Sequence, residues 1–162
     1  MKKISKILIL GGPGSGKTTL ANKLKKLFEL PIINLDNINY KKDWISRDRK
    51  ERDNIIQRKI NEDEWIMEGV YKSTLKQRAD VADLIIFLEH PTYYLIFRII
   101  KRYICNFGKE KKELDGCKER LSWNFIKYTL LFNSKKKSIY EILNKVENID
   151  NKLIIFKNGR IY

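Results

Sequence analysis

The sequence predicts an α/β fold in which one parallel sheet is covered by helices on both faces. Five short apolar runs alternate with stretches of helical periodicity along the 162 residues. The runs are nearly continuous in Ile and Leu instead of alternating with polar residues, which is typical of strands buried on both faces. Strands that alternate with helices pair in parallel through right-handed crossovers. The predicted strands span residues 4–10, 31–35, 65–67, 84–88 and 153–156.

The segments between the strands have helical spacing of apolar residues. Ser138 and Glu141 match the S/T-x-x-E capping template, so the last helix has a second possible start at Ser138 after a break. No internal repeat, low-complexity tract or linker interrupts the pattern, and we expect a single domain over residues 1–162. The predicted helices span residues 16–29, 47–62, 72–80, 91–107, 118–133 and 135–148.

The first strand leads into a glycine-rich loop with a fixed spacing. Residues 11–18 read Gly-Gly-Pro-Gly-Ser-Gly-Lys-Thr, which matches G-x-x-x-x-G-K-[ST] between a strand and a helix. Such a loop turns backbone N–H groups toward phosphate oxygens, and the helix N-terminus adds partial positive charge. A simple glycine-rich turn does not explain Lys17, which can reach the β- and γ-phosphates, or Thr18, whose hydroxyl can ligate Mg²⁺. The motif therefore predicts ATP and Mg²⁺ as cofactors. The predicted nucleotide-binding residues are Gly11, Gly12, Pro13, Gly14, Ser15, Gly16, Lys17, Thr18 and Thr19.

Acidic residues follow three of the other strands. Ligands of parallel α/β sheets bind beyond the carboxyl ends of the strands, where Asp36, Glu68 and Glu89 are expected. Glu68 either holds a metal-bound water or is an ordinary strand-end acid, and we favour the metal role. Asp36 either accepts a proton from the phosphoryl acceptor, or orients a water, or is a turn or helix-cap residue.

The net charge and the cysteines limit the possible partners. Lys and Arg number 34 against 20 Asp and Glu, so the net charge is +14. This charge suits polyanions, but the general richness in Lys, Ile and Asn explains it as well. No known nucleic-acid motif is visible, so specific nucleic-acid binding is not favoured.

Because no 18-residue apolar run occurs, no membrane partner is expected. The N-terminus leads directly into a strand, which favours a cytoplasmic protein. Cys105 and Cys117 lack metal-ligand spacing and are expected to be reduced, structurally incidental thiols.

Six segments beyond the glycine-rich loop carry a resemblance to a known family. They are residues 33–36, 65–71, 82–88, 98–102, 116–117 and 123–132. Together with the loop they resemble the adenylate-kinase-like proteins of the DNA topology modulation (FlaR) type. The resemblance implies a nucleoside-monophosphate-kinase plan with strand order 2-3-1-4-5 and a short lid at about 103–120, and it supplies no established substrate. The chain has Glu68 and Glu89 where Asp is usual in that family, and lid lysines (Lys109, Lys111, Lys112) where arginine and prolines are usual.

Cations beyond the loop are candidates to offset charge during phosphoryl transfer. Arg98 and Arg102 are four residues apart and share a helix face, on a helix whose apolar neighbours predict that it is largely buried. Together with Lys17 and Asp36 they are the predicted catalytic residues. Arg78 is a weaker acceptor-binding candidate and Arg120 a weaker lid candidate; for both, a surface position is favoured.

Two further segments have alternative interpretations. Trp123, Phe125, Tyr128 and Phe132 could stack on bases, but core packing is the better interpretation. The arginine-rich segment 47–62 is either a mobile acceptor-side helix or a solvated one.

The leading hypothesis is a Mg·ATP-dependent phosphotransferase that acts on an unidentified small acceptor. One alternative is an ATP-binding regulator of DNA topology that acts through DNA or a protein partner. The other is an ATPase that transfers only to water. Phosphate release with and without acceptors separates the first and third hypotheses, and salt-dependent DNA binding tests the second.

Overall fold

The computed structural model describes residues 3–108, 117, 121–157 and 160–161. Its main sheet has six strands, in the order β2-β5-β1-β6-β7-β8. All neighbours pair in parallel except β7 and β8, which are antiparallel. A separate two-stranded antiparallel hairpin is formed by β3 and β4. The strands are β1 Lys6–Gly11, β2 Ile32–Asn34, β3 Tyr40–Lys41, β4 Ile45–Ser46, β5 Trp65–Glu68, β6 Leu84–Glu89, β7 Leu153–Lys157 and β8 Arg160–Ile161.

The five parallel strands confirm the predicted α/β sheet and its order 2-3-1-4-5. All residues of β1 from position 7 to position 11 are buried, which explains the continuous apolar run in the sequence. The two-residue strands β3, β4 and β8 are missing from the sequence prediction, because so short a segment carries no periodicity.

The described residues also form seven α-helices and short 3₁₀ turns at Lys42–Trp44, Lys72–Thr74 and Ile149–Asn151. The helix after β4 starts at an N-cap, since the Asp48 carboxylate accepts hydrogen bonds from the backbone N–H groups of Lys50 and Glu51. The helices are α1 Lys17–Phe28, α2 Leu35–Asn39, α3 Arg49–Ile60, α4 Leu75–Val81, α5 Thr92–Cys105, α6 Trp123–Leu130 and α7 Phe132–Leu143.

The core forms two layers, one on each face of the sheet. On one face Leu8, Met67 and Phe87 pack against side chains of α3, α4 and α7. On the other face Ile9 and Ile86 pack with residues of α1. Both faces of the central strands are therefore covered, as the sequence predicts.

Three helix predictions are wrong in detail. The chain after β2 forms α2, a helix of five residues that is too short to show a period. The break between the last two helices lies at Leu131, and Ser138 lies inside α7, where its Oγ donates to the Lys135 carbonyl instead of capping the helix. The same helix ends at Leu143, not at 148.

The prediction that α5 is largely buried is also wrong. Only Leu95 and Ile99 of this helix are buried, whereas Phe97 and Ile104 are 61% and 68% exposed. Apolar composition indicates a helix but does not say which of its sides meets a partner. For the aromatic run, core packing holds for Phe132 but not for Trp123, which is 84% exposed.

The arginine-rich helix α3 is anchored in the core through Ile56 and Ile60, and most of its remaining side chains face solvent. None of the described helices is both long enough and apolar enough to cross a bilayer.

Candidate functional site

The phosphate loop is a tight turn between β1 and α1 that packs against α5. Gly14 and Gly16 have φ angles of 72° and 96°, a region that favours glycine. A Cβ on Gly14 would lie 2.9 Å from the Leu95 carbonyl oxygen. A Cβ on Gly16 would lie 3.3 Å from the Arg98 guanidinium. The close approach of the α5 backbone therefore leaves no room for a Cβ at Gly14, and a Cβ at Gly16 would press on the Arg98 side chain.

Lys17 is the first residue of α1 and lies across the loop. Its Nζ donates hydrogen bonds to the carbonyl oxygens of Gly11 at 3.1 Å and Gly12 at 3.0 Å. Ser15 is buried, and its Oγ is a buried polar atom without a hydrogen-bond partner among the described residues. Thr19 lies exposed one residue beyond Thr18 on α1. The loop thus holds an ammonium and a spare polar group beside its backbone N–H groups, which fits a phosphate ligand.

Glu68 and Thr18 meet at the carboxyl ends of two neighbouring strands. The Thr18 hydroxyl donates to Glu68 Oε2 at 3.0 Å, and the Asn34 side-chain amide donates to Oε1 at 2.7 Å. Glu68 is 4% exposed, so these bonds satisfy a carboxylate that water scarcely reaches. A hydroxyl beside a carboxylate is a donor set that suits Mg²⁺, which takes few protein ligands and keeps waters or phosphates in its other positions. The residues present therefore fit the predicted metal.

Asp36 lies in the first turn of α2, and its carboxylate is bonded by a side chain from the turn that follows β5. The Tyr71 hydroxyl donates to Asp36 Oδ1 at 2.8 Å. Burial and the negative charge of Asp36 raise the pKa of the Tyr71 phenol, which therefore stays protonated and remains a donor. The helix cap is Asn34, whose Oδ1 accepts from the Asp36 N–H at 2.8 Å. The cap interpretation of Asp36 is thus wrong.

Asn34 links the Glu68 carboxylate to the backbone of Asp36. Its amide nitrogen contacts Glu68, and its amide oxygen contacts the backbone of Asp36. The side chain of Asn34 therefore fixes the start of α2 relative to Glu68.

Arg98 reaches the phosphate loop from α5. Its Nη1 is 3.5 Å from the Ser15 carbonyl oxygen, and its Cζ is 5.7 Å from the centroid of the Tyr94 ring. Arg102 lies one turn further along α5 and is partly buried. Burial, and then the positive charge of Arg98, lower the pKa of His90, while a hydrogen bond with the Ser15 backbone raises it. His90 is therefore neutral near pH 7.

Glu89 contacts α7 instead of the phosphate loop. Its Oε1 accepts from the Tyr140 hydroxyl at 2.9 Å and lies 3.5 Å from Lys136 Nζ. Burial and the hydrogen bond to Glu89 raise the pKa of Tyr140. The acid that meets Thr18 is Glu68.

The surface position favoured for Arg78 is wrong. This residue of α4 is fully buried, and its guanidinium contacts the loop that follows β5. Arg120 and the lid lysines Lys109, Lys111 and Lys112 lie outside the described residues. Cys117 is buried, and its Sγ donates to the Lys41 carbonyl at 3.5 Å.

Sequence reasoning missed Asn34, Tyr71 and the buried role of Arg78. An Asn two residues before an acid at a strand end is a helix N-cap signal that could have identified Asn34. The contacts of Tyr71 and Arg78 depend on which turns meet in space, and no local pattern encodes them.

Comparisons with known proteins agree with this geometry. No protein-family model matches the sequence. The chain is 29% identical to a protein of Plasmodium falciparum (isolate 3D7) named adenylate kinase isoenzyme 6 homolog, over 97% of this chain and 96% of that protein. The sequence is thus similar to a P-loop kinase along nearly its whole length. The DNA topology family is not among these findings.

Solved structures show the fold. A shikimate kinase from Acinetobacter baumannii in complex with shikimate has a TM-score of 0.58 and 13% identity, covering 86% of this chain and 80% of its own. A shikimate kinase from Bacteroides thetaiotaomicron has a TM-score of 0.58 and 14% identity, covering 96% and 88%. A gluconokinase from Sinorhizobium meliloti 1021 has a TM-score of 0.53 and 14% identity, covering 99% and 86%. This is a P-loop kinase fold.

Proposed function

We propose that this chain is an ATP-dependent phosphotransferase that acts on a small acceptor. The observation that supports it most is the contact between the Thr18 hydroxyl and the Glu68 carboxylate, beside a loop built to hold phosphates. The kinase named among its relatives and the kinase fold of its structural neighbours agree with this proposal.

The chain would bind the nucleotide through its phosphates. The loop from Gly11 to Thr18 contributes backbone N–H groups, and the Lys17 ammonium moves from the loop carbonyls to the β- and γ-phosphates. Thr18 and Glu68 would hold Mg²⁺, Thr18 through its hydroxyl and Glu68 through a bound water, and the ion would neutralise charge on the phosphates. Arg98 approaches the same loop from α5 and offsets charge that develops during transfer.

Asp36 is the proposed proton acceptor. A bond forms between the acceptor oxygen and the γ-phosphorus as the bond from that phosphorus to the β–γ bridging oxygen breaks. The proton of the acceptor hydroxyl passes to the Asp36 carboxylate, and ADP is the leaving group. Arg102 is proposed as a second cation for the transferred group.

A panel of acceptors tests the proposal. ADP formation from Mg·ATP is measured with nucleoside monophosphates, shikimate, gluconate, other sugars and nucleosides, and with water alone. We expect one chemical class to raise ADP formation at least about tenfold over water, which corresponds to roughly 1.4 kcal/mol of barrier. Equal rates with and without every acceptor would leave an ATPase and would overturn the phosphotransferase proposal.

The alternative is an ATP-binding regulator of DNA topology, and the net charge of +14 is the observation that favours it. We weigh it lower because the Glu68 carboxylate that contacts Thr18 has a use in phosphoryl transfer and none in binding a polyanion. A cytoplasmic location, where ATP is abundant, belongs to the same proposal.

A further inference from the structure

Arg78 is a cation in the interior of the protein. Its side chain is fully buried in α4, and its described hydrogen bonds go to neutral groups. Burial lowers the pKa of its guanidinium to about 9, and the negative charge of Asp53 opposes that shift. Burying a charge is costly unless the surrounding groups satisfy it. The groups that accept hydrogen bonds from this guanidinium therefore show which part of the chain it holds in place.

The guanidinium clamps the turn that follows β5. Nη1 donates to the Gly69 carbonyl at 2.9 Å, Nη2 to the Tyr71 carbonyl at 2.7 Å, and Nε to Thr74 Oγ1 at 3.2 Å. All three nitrogens of the planar fork are used, so the turn is fixed in direction as well as in distance. Gly69 has φ 131°, and a Cβ there would lie 3.0 Å from the Leu35 Cβ, so the turn sits directly against the start of α2.

Tyr71 projects from this clamped turn onto the acceptor-side carboxylate, where its hydroxyl donates to Asp36 Oδ1. The Arg52 guanidinium carbon lies 4.9 Å from the centroid of the Tyr71 ring, and Arg52 Nη2 also contacts Ser73 Oγ at 3.3 Å. The phenol is thus restrained by its own backbone and by a cation over its ring.

We propose that Arg78 is a positioning residue, which acts through Tyr71 to orient Asp36. With the carbonyls of residues 69 and 71 clamped, the phenol stays on Oδ1, and Oδ2 is the oxygen that accepts the proton of the phosphoryl acceptor. This inference rests on the proposed function for its catalytic consequence, but its structural part does not.

The first test measures the carboxyl group of Asp36 directly. The protein is labelled with ¹³C at Asp carboxyl carbons, and the Asp36 resonance is identified by its loss in Asp36→Asn. At pH 7 we expect this resonance to move in Tyr71→Phe, which removes only the hydroxyl, and in Arg78→Lys, which keeps a cation but loses the fork. It should stay in place in two matched controls, Tyr93→Phe and Arg58→Lys, which change exposed side chains.

The second test measures the chemistry. ADP formation is followed with AMP, shikimate and gluconate as probes, and Mg·ATP affinity is measured by calorimetry. We expect Tyr71→Phe and Arg78→Lys each to lower kcat about tenfold, equivalent to about 1.4 kcal/mol of barrier. Their Mg·ATP affinity should stay within about twofold of the wild type. The kcat of the double variant should be no lower than that of Tyr71→Phe alone, because both changes act through one hydrogen bond.

The two tests fail separately. An Asp36 resonance that is unmoved in Tyr71→Phe overturns the inference, even if Arg78→Lys does not fold. A resonance that moves in a protein without any acceptor-dependent activity overturns the proposed function and leaves the Arg78–Tyr71–Asp36 arrangement intact. If the fold-loss of kcat in the double variant equals the product of the two single fold-losses, Arg78 acts through a route other than Tyr71.

Discussion

The hydroxyl of Thr18 lies 3.0 Å from Oε2 of Glu68, although fifty positions separate the two residues in the chain. The pairing of strands in the sheet brings the two residues together. Strands β1 and β5 are parallel neighbours with Ile9 opposite Glu68, so the carboxyl end of β5 faces the loop that follows β1. The last residue of one strand thereby meets the first turn of α1.

Lys17→Ala tests the phosphate loop. The ammonium offsets phosphate charge, so we expect Mg·ATP affinity to fall at least about tenfold, or roughly 1.4 kcal/mol, while the melting temperature is retained. Calorimetric titration measures the affinity. The matched control is Lys26→Ala, an exposed residue of the same helix. Equal affinity in wild type and Lys17→Ala would contradict the assigned role.

Glu68→Gln tests the metal site with an almost isosteric change. The amide keeps the size of the side chain but loses the charge that we propose holds a metal-bound water. We expect the Mg²⁺ concentration for half-maximal activity to rise about 10- to 100-fold, the usual range for groups that orient metal ligands. Glu62→Gln, which changes an exposed acid, is the control. A Mg²⁺ dependence equal to that of the wild type would contradict the metal role.

Arg98→Lys separates catalytic and structural roles on α5. Lysine keeps the charge but loses the planar fork, so we expect turnover to fall about tenfold with Mg·ATP affinity nearly unchanged. Lys101→Arg, an exposed change on the same helix, is the control. A lower melting temperature with normal turnover would instead assign Arg98 to structure alone.

Asp48 predicts a pH dependence of stability. Its hydrogen bonds from the N–H groups of Glu51 and Lys50 lower its pKa below the usual 3.8. A carboxyl group whose pKa is lower in the folded state stabilises the fold above the unfolded value, and this contribution is lost as pH falls through the lowered pKa. We therefore expect Asp48→Ala to lower the melting temperature at pH 7, and the difference to shrink below about pH 3.8.

Asp48→Asn is the control for that measurement. Asparagine caps a helix as well as aspartate does but does not titrate. The melting temperature of this variant should stay near that of the wild type at pH 7, and its loss on acidification should be smaller. Identical pH profiles for the wild type and Asp48→Asn would rule out the carboxylate as the source.

The parts of the site that sequence predicts are those set by spacing along the chain. The spacing of glycine, lysine and threonine in residues 11–18 predicts a phosphate-binding loop between a strand and a helix. The Ile- and Leu-rich runs locate the five parallel strands. Strand order follows from the family resemblance and brings Glu68 next to the loop. The loop and the strands need only local pattern and the rule that ligands meet the carboxyl ends of strands, whereas their order needs the resemblance as well.

The proposed acceptor side depends on contacts that a local pattern cannot express. Asn34 contacts Glu68, Tyr71 contacts Asp36, and Arg78 contacts the turn after β5, so these bonds exist only once the strands and helices have come together. The N-cap bond from the Asp36 N–H to Asn34 is the local exception. The exposed side of α5 is a similar case. Its apolar residues predict burial, yet burial depends on whether another element covers that side of the helix.

The final prediction separates a kinase from a regulator of DNA topology. A chain of net charge +14 is expected to bind duplex DNA at low salt whatever its partner is, because Lys and Arg release counterions from phosphates. Affinity then falls with the logarithm of salt concentration, with a slope of about −0.9 per phosphate contacted. Near physiological salt we expect a Kd of about 10⁻⁴ to 10⁻⁶ M, the range of non-specific binding, and the same value with and without Mg·ATP. Fluorescence anisotropy over a salt series, with and without Mg·ATP, measures the Kd for DNA and its response to the nucleotide. Lys17→Ala, which is expected to bind Mg·ATP weakly, is the control. Nanomolar affinity that Mg·ATP shifts severalfold in the wild type but not in Lys17→Ala would couple the phosphate loop to DNA, and the small-acceptor proposal would then be abandoned.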